Sequence, residues 1–187
     1  MNHQNKVKVN FAPSVRGRNG LAAGLEMMSI WRFVARDKDG NIIRDETVKN
    51  LVTNAGLNDL LDKYFKGSTY TAAFYVGLTD GTPTANAADT MSSHAGWAEV
   101  TAYDEATREA LTLGTVASQS VDNSASAAQF TISADSTTIG GAFLTTNNTK
   151  GGTTGTLYGI AAFGSGDLTL NDGSTLDVTV TLTAASA

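Results

Sequence analysis

The sequence predicts a mainly β protein, an antiparallel β-sandwich of jelly-roll-like type with one amphipathic α-helix and an extended N-terminal arm. Three observations predict it. Charged residues are 17% of the 187, against roughly 25% in ordinary globular domains, and Gly, Thr, Ser and Asn fill the gap. Apolar and polar residues alternate in segment after segment beyond Gly67, which is the period of a strand with one buried face. A single stretch has helical spacing instead. The length suffices to bury a core without cross-links, so the absence of cysteine costs the fold nothing, although it removes disulfides, thiolate nucleophiles and cysteine metal sites.

Residues 1–25 read as the arm and residues 26–187 as the domain. The arm carries Lys6, Lys8, Arg16 and Arg18 and no acid, and in "VKVNF" the residues Val7, Val9 and Phe11 alternate with polar neighbours. That pattern suits a strand added to an edge or to a partner. "SIWRFVARD" follows, with Trp31, Phe33 and Ala35 on one side and Arg32 and Arg36 on the other. "DKDGN" turns the chain and "IIRDETV" returns as a hairpin partner. The Asp37, Asp39, Gly40 pattern is only faintly like a calcium loop and fails the count, because the sixth position is Ile42 and the twelfth Val48, where Gly and a bidentate Glu are required.

The helix is expected near 54–66. Thr53 or Asn54 caps it, Leu57, Leu60, Leu61, Tyr64 and Phe65 make an apolar stripe, and Gly67 follows its end. The stripe should plug one side of a sheet, with Asp59, Asp62 and Lys63 in solvent. Short strands then follow: "AFYVGLTDG", "REALTLG", "AQFTIS", "TTIGGAFL", "TLYGIAAF" and "STLDVTVTLT". In the last of these Leu176, Val178, Val180 and Leu182 alternate with Thr175, Asp177, Thr179 and Thr181. Two stretches, 82–97 and 145–156, read as long loops, which in a compact domain are functional or ordered by their neighbours.

Charge divides the chain. Met1 to Lys66 has eleven Lys and Arg against seven Asp and Glu, or +4; Gly67 to Ala187 has two against eleven, or −9; these sum to the net −5. A basic front of this kind suits an acidic protein surface. Four charges with one Phe make a poor case for nucleic acid, which needs aromatic interleaving as well. No apolar run approaches the roughly 20 residues of a membrane helix, and the basic start lacks the apolar segment of a signal peptide, so the expectation is a protein made and used in soluble form, with no membrane partner.

The stretch "MSSHAGWAEV" holds His94, Trp97 and Glu99 beside Ser92 and Ser93. Adjacency in sequence does not make a catalytic triad, and no Gly-x-Ser-x-Gly elbow lifts a serine. "GGTTG" lacks the Lys and helix of a phosphate loop. The expectation is therefore no enzyme, no cofactor and no metal, with His94 a loop residue near Trp97. Trp31 and Trp97 read as anchors in the core or at a subunit contact.

The series "NLVTNAGLNDLLDKYF", "FYVGLTDG", "ADTMSSHAGWAEVTAYDEATREALTLG", "VDNSASAAQFTIS", "TTIGGAFLTT", "GTLYGIAAFG" and "GSTLDVTVTLTA", roughly residues 48–184, resembles small virion structural proteins of tailed bacteriophages, most of all capsid decoration or cement proteins. The resemblance implies a β-sandwich made in the bacterial cytoplasm and placed on the capsid exterior. It implies a major capsid protein as partner and a homo-oligomer, dimer or trimer, as the working form. The arm is outside the matched part; its Lys6, Lys8, Phe11, Arg16 and Arg18 are the expected partner-binding residues on charge and pattern alone. The competing expectation is a tail, neck or fibre-base structural or adhesion protein, whose loops 82–97 and 145–156 would meet a ring protein or a receptor.

Overall fold

The computed structural model describes residues 25–70 and 73–186. The arm residues Lys6, Lys8, Phe11, Arg16 and Arg18 lie outside them. The chain is mainly β, with antiparallel pairing and one short helix. In order, the elements are β1 (Leu25–Arg36), β2 (Ile42–Lys49), β3 (Leu51–Val52), α1 (Asn54–Leu60) with a π-helical turn at Leu61–Phe65, β4 (Tyr75–Thr79), β5 (Glu99–Val100), β6 (Glu109–Ala110), β7 (Ser120–Asp122), β8 (Ala128–Thr131), β9 (Thr137–Ile139), β10 (Gly141–Thr145), β11 (Leu157–Ala162), β12 (Leu168–Leu170) and β13 (Thr175–Ser186).

One sheet runs β2-β1-β13, with β7 and β8 end to end along the far edge of β13. A second runs β3-β11-β10-β4, with β5 and β6 on β4, and β9 and β12 form a small pair. The expected hairpin is present. Asp37 Oδ1 accepts from the backbone N–H of Asp39 and of Asn41, at 3.0 and 2.9 Å, and Gly40 takes φ +85°, a conformation in which glycine meets no Cβ penalty. β1 then pairs with β13 over its whole length, from Leu25 opposite Ser186 to Arg36 opposite Thr175.

The alternation read in β1 and β13 sets the core. Trp31, Phe33, Ala35, Leu176, Val178 and Val180 are buried and meet Val76, Leu78, Leu144, Ala161 and Phe163 of the second sheet. Trp31 has no exposed surface and donates its Nε1–H to Ser29 Oγ at 2.9 Å. β7 and β8 leave a gap on β13, which a side chain fills. The fully buried Asn123 accepts from Val180 N–H at 2.6 Å and donates to the Val178 carbonyl at 3.2 Å, so no backbone group is orphaned there.

Three expectations are corrected. "TTIGGAFL" is two strands, because the chain leaves β9 at Gly140 and joins another sheet. A Cβ at Gly140 would sit 1.8 Å from the Gly81 carbonyl carbon, so the crossing requires glycine. "REALTLG" contributes a two-residue strand. The helix stripe does not plug a sheet. Gly56 is the one buried residue of α1, held against Tyr158 so closely that a Cβ would lie 2.8 Å from its carbonyl oxygen. That contact brings α1 to β11 by backbone instead of by leucines, and Leu61, Tyr64 and Phe65 remain 46%, 78% and 66% exposed.

Candidate functional site

Two places combine polar chemistry or apolar surface in a way that packing alone does not require. The first is where the two long loops meet. β10 is buried along its whole length, because Ala142 and Leu144 face the main core while Phe143 points to the other side. There Phe143, Leu157 and Ile160 form a second cluster with Met91 and Trp97 from the 82–97 segment. Gly77, opposite Phe143, leaves room for its ring. The segment 82–97 is thus a lid on the outer face of a sheet, pinned by buried Pro83, Asp89, Met91 and Trp97.

Arg108 holds the 145–156 loop to β5, the strand that follows this lid. Its side chain is fully buried. Nε and Nη2 donate to the two carboxylate oxygens of Glu99 at 2.8 and 2.7 Å, Nη1 donates to the Asn147 carbonyl at 2.8 Å, and Nη2 to the Gly152 carbonyl at 2.6 Å. Glu99 accepts in addition from Gly151 N–H at 2.8 Å, and the guanidinium lies 5.1 Å from the Phe143 ring centre. Four of the five guanidinium N–H groups are therefore satisfied by a bidentate partner and two loop carbonyls, a fork that lysine cannot reproduce. Lys150, on the same loop, donates to the Tyr103 carbonyl at 2.8 Å and sits 4.0 Å above the Tyr103 ring. Burial and the nearby Glu99 carboxylate push the Tyr103 hydroxyl well above its ordinary range.

Beside this clamp is a cleft of about 210 Å³ lined by Met91, His94, Trp97, Glu99, Gly152 and Thr153. His94 stacks on Trp97 with ring centres 3.6 Å apart and planes 11° from parallel. Of its neighbours in sequence, Ser92 and Asp89 have side-chain partners, and Ser93 is held through its backbone. Ser92 Oγ is within 3.3 Å of Thr90 Oγ1, Ser93 N–H donates to Thr90 Oγ1, and Asp89 accepts from Asn86 N–H. Nδ1 of His94 and Nε1 of Trp97 are buried and without partners among the described residues. Among the described residues no hydrogen bond joins His94 to Ser92, Ser93, Asp89 or Glu99. Among the described residues no three His, Asp or Glu side chains gather as a metal site would require, and no helix is long and apolar enough to cross a membrane.

The second place is the surface around α1. Met27, Met28, Val52, Leu57, Leu60, Tyr158 and Leu182 line an apolar groove, with Gly56 at its floor. In the turn that follows α1, Leu61, Tyr64 and Phe65 are exposed, and the Tyr64 and Phe65 rings meet edge to face at 5.0 Å. Tyr158 is pushed up to about 12, mainly by burial and then by the Asp59 carboxylate nearby.

Of the residues expected from sequence to matter, Trp31 lies in the main core and Trp97, 66 residues later, in the second cluster. Sequence reasoning missed Arg108. A signal existed: Arg108 and Lys150 are the two cations in the whole acidic remainder from Gly67 on, and both are bound in this one loop assembly. No family model, no curated protein and no solved structure matches the chain.

Proposed function

We propose that this chain is a structural component of a tailed-bacteriophage virion, binding the outside of the capsid and bridging major capsid protein subunits so that the head resists internal pressure. The observation that carries the reading is the uncovered apolar surface of Leu61, Tyr64, Phe65 and Tyr70. Surface of this kind on a rigid β frame is a docking surface, and the arm's charge adds attraction to an acidic partner. The sequence resemblance supports the same assignment. In this reading the chain works as a dimer or trimer, multiplying weak contacts, and performs no catalysis. In this reading the two larger antiparallel sheets are halves of a sandwich, and the crossing from β2 to β3 between them supports a jelly-roll-like winding.

The tail, neck or fibre-base reading assigns partners to loops 82–97 and 145–156. Loop 82–97 is seated on β10 and β11 through Met91 and Trp97, and loop 145–156 is held by Arg108 and Glu99, which favours the capsid. The test is to incubate the purified protein with expanded heads stripped of accessory proteins and to count copies after sedimentation. Hundreds of copies per head, with heat resistance restored, are expected; a few copies or none would move the protein to the tail or neck.

A further inference from the structure

β2 is the outermost strand of its sheet. It runs eight residues, Ile42–Lys49, where the strands at the other margins, β3, β5, β6, β7, β8, β9 and β12, have two to four. Free N–H and C=O groups along a long edge recruit another strand, so proteins shorten such edges, cover them or interrupt them with proline. β2 is long and contains no proline. Among the described residues, no hydrogen bond from outside β1 reaches its backbone. Its one irregularity is the register shift opposite Ala35 and Arg36, at the strand's start, and from Arg44 on the pairing with β1 is regular. What distinguishes this edge is its charge, from Arg44, Asp45, Glu46 and Lys49, and charge on an edge selects one partner while it excludes others.

We infer that a second copy of this chain pairs with β2 along this edge, the two β2 strands antiparallel about a twofold axis at Thr47. Residues that present their N–H and C=O to the free side alternate along a strand, and in an antiparallel ladder they bond only to their like on the other strand. A twofold pairing must therefore set one residue of β2 opposite itself. Centred on Arg44, Asp45 or Glu46, it would set two like charges face to face, which is destabilising. Centred on Thr47, it sets Thr47 opposite Thr47, and Asp45 opposite Lys49 twice. All three side chains are exposed. Arg32 on the neighbouring strand already orders Asp45, donating to its two carboxylate oxygens at 2.9 and 2.7 Å, while Lys49 has no ion-pair partner among the described residues. This register also keeps the paired span, from Arg44 opposite Asn50, clear of the irregular start. A second copy fits better than a strand of single charge, because an edge holding both signs four residues apart complements itself when reversed. A strand pair is small beside the roughly 800 Å² per partner of a standard interface, so the dimer is reversible, with a Kd on the order of micromolar. The inference stands on the edge alone and goes beyond the virion reading, which names no contact between copies.

The chain has no cysteine, so a single introduced thiol reports contact between copies without background. Full-length Thr47→Cys protein is oxidised mildly at several concentrations and compared with Ile43→Cys, an exposed position on the same strand. Opposed Thr47 positions have Cα atoms about 4.5–5.5 Å apart, within disulfide reach. Ile43 and its copy, eight residues out of step, lie roughly 26 Å apart. The expected result is a covalent dimer forming about tenfold faster or more in the Thr47→Cys protein, with the unaltered protein sedimenting as a dimer as its concentration rises. A mixture of Asp45→Cys and Lys49→Cys proteins should cross-link faster than either alone. Lys49→Glu, which sets a second carboxylate opposite Asp45, should weaken dimerisation several-fold and leave thermal unfolding of the dilute protein unchanged. A monomer at every concentration would overturn the inference, as would a dimer in which Thr47→Cys and Ile43→Cys cross-link equally, since its contact would then lie elsewhere. Because no capsid is present, failure here leaves the head-binding test untouched, and the reverse.

Discussion

Arg108 is the residue on which the loop architecture depends. Its partners stand 9, 39 and 44 positions away, so no local pattern announces them, and the fork closes only when three separate segments are in place. Removing one member of a buried ion pair leaves an uncompensated charge and costs about 3–5 kcal/mol. Arg108→Leu is therefore expected to lose that much in urea unfolding, and adding Glu99→Gln should restore part of it, because the stranded carboxylate is then neutral. A loss under about 1 kcal/mol would mean that the loops stay closed through Trp97 and Phe143 alone. By contrast, the burial of Trp31, Phe33, Val178 and Val180 was legible from a period of two, since the residues that pack share a face of one strand.

Among the elements, the hairpin of β1 and β2, the last strand and the helix limits could be read directly, because turn chemistry, alternation and capping are local. Thr53 does cap α1, accepting from Gly56 N–H at 3.1 Å. What covers each element was not local and could not be read. β10 looks like a one-faced strand but is covered on both faces, since a lid 50 residues earlier folds over Phe143. The helix looks like a core plug but touches β11 through a glycine. Tyr158 joins these elements, edge to face with Phe74 at 5.0 Å and lining the groove under Leu57 and Leu60. Its hydroxyl is held protonated to about 12 from an ordinary 10.0. The fold thus keeps a proton that the unfolded chain releases earlier, so this contribution is full below pH 10.0 and is lost as pH rises toward about 12. Phenolate absorbance should show two tyrosines titrating late, Tyr103 and Tyr158; Tyr158→Phe should remove the earlier of these two late titrations and flatten the alkaline loss of stability, and an unchanged alkaline limb would assign that loss to Tyr103.

At the scale of the whole molecule, charge is sorted by place. From Gly67 on there are eleven acids and two cations, and both cations are engaged within the Arg108 and Lys150 loops, so this part of the surface repels its own copies while the arm supplies the opposite sign. If attachment to heads uses the arm's basic face, occupancy should fall several-fold between about 0.05 and 0.5 M salt. Occupancy indifferent to salt would assign attachment to Tyr64, Phe65 and their neighbours instead. The partner residues themselves were legible only as candidates, because a surface is defined by what it meets.

The pairing of β1 with β13 has a mechanical consequence. Leu25 and Ser186 are register partners, so tension applied through the two chain ends would open the ladder one pair at a time, as a zipper opens from its slider. Tension entering through the flat of the sheets or through α1 would instead have to shear many pairs at once. A body built this way resists stretching only when its load path avoids its ends, and any anchorage that asks it to bear strain must grip it by its faces.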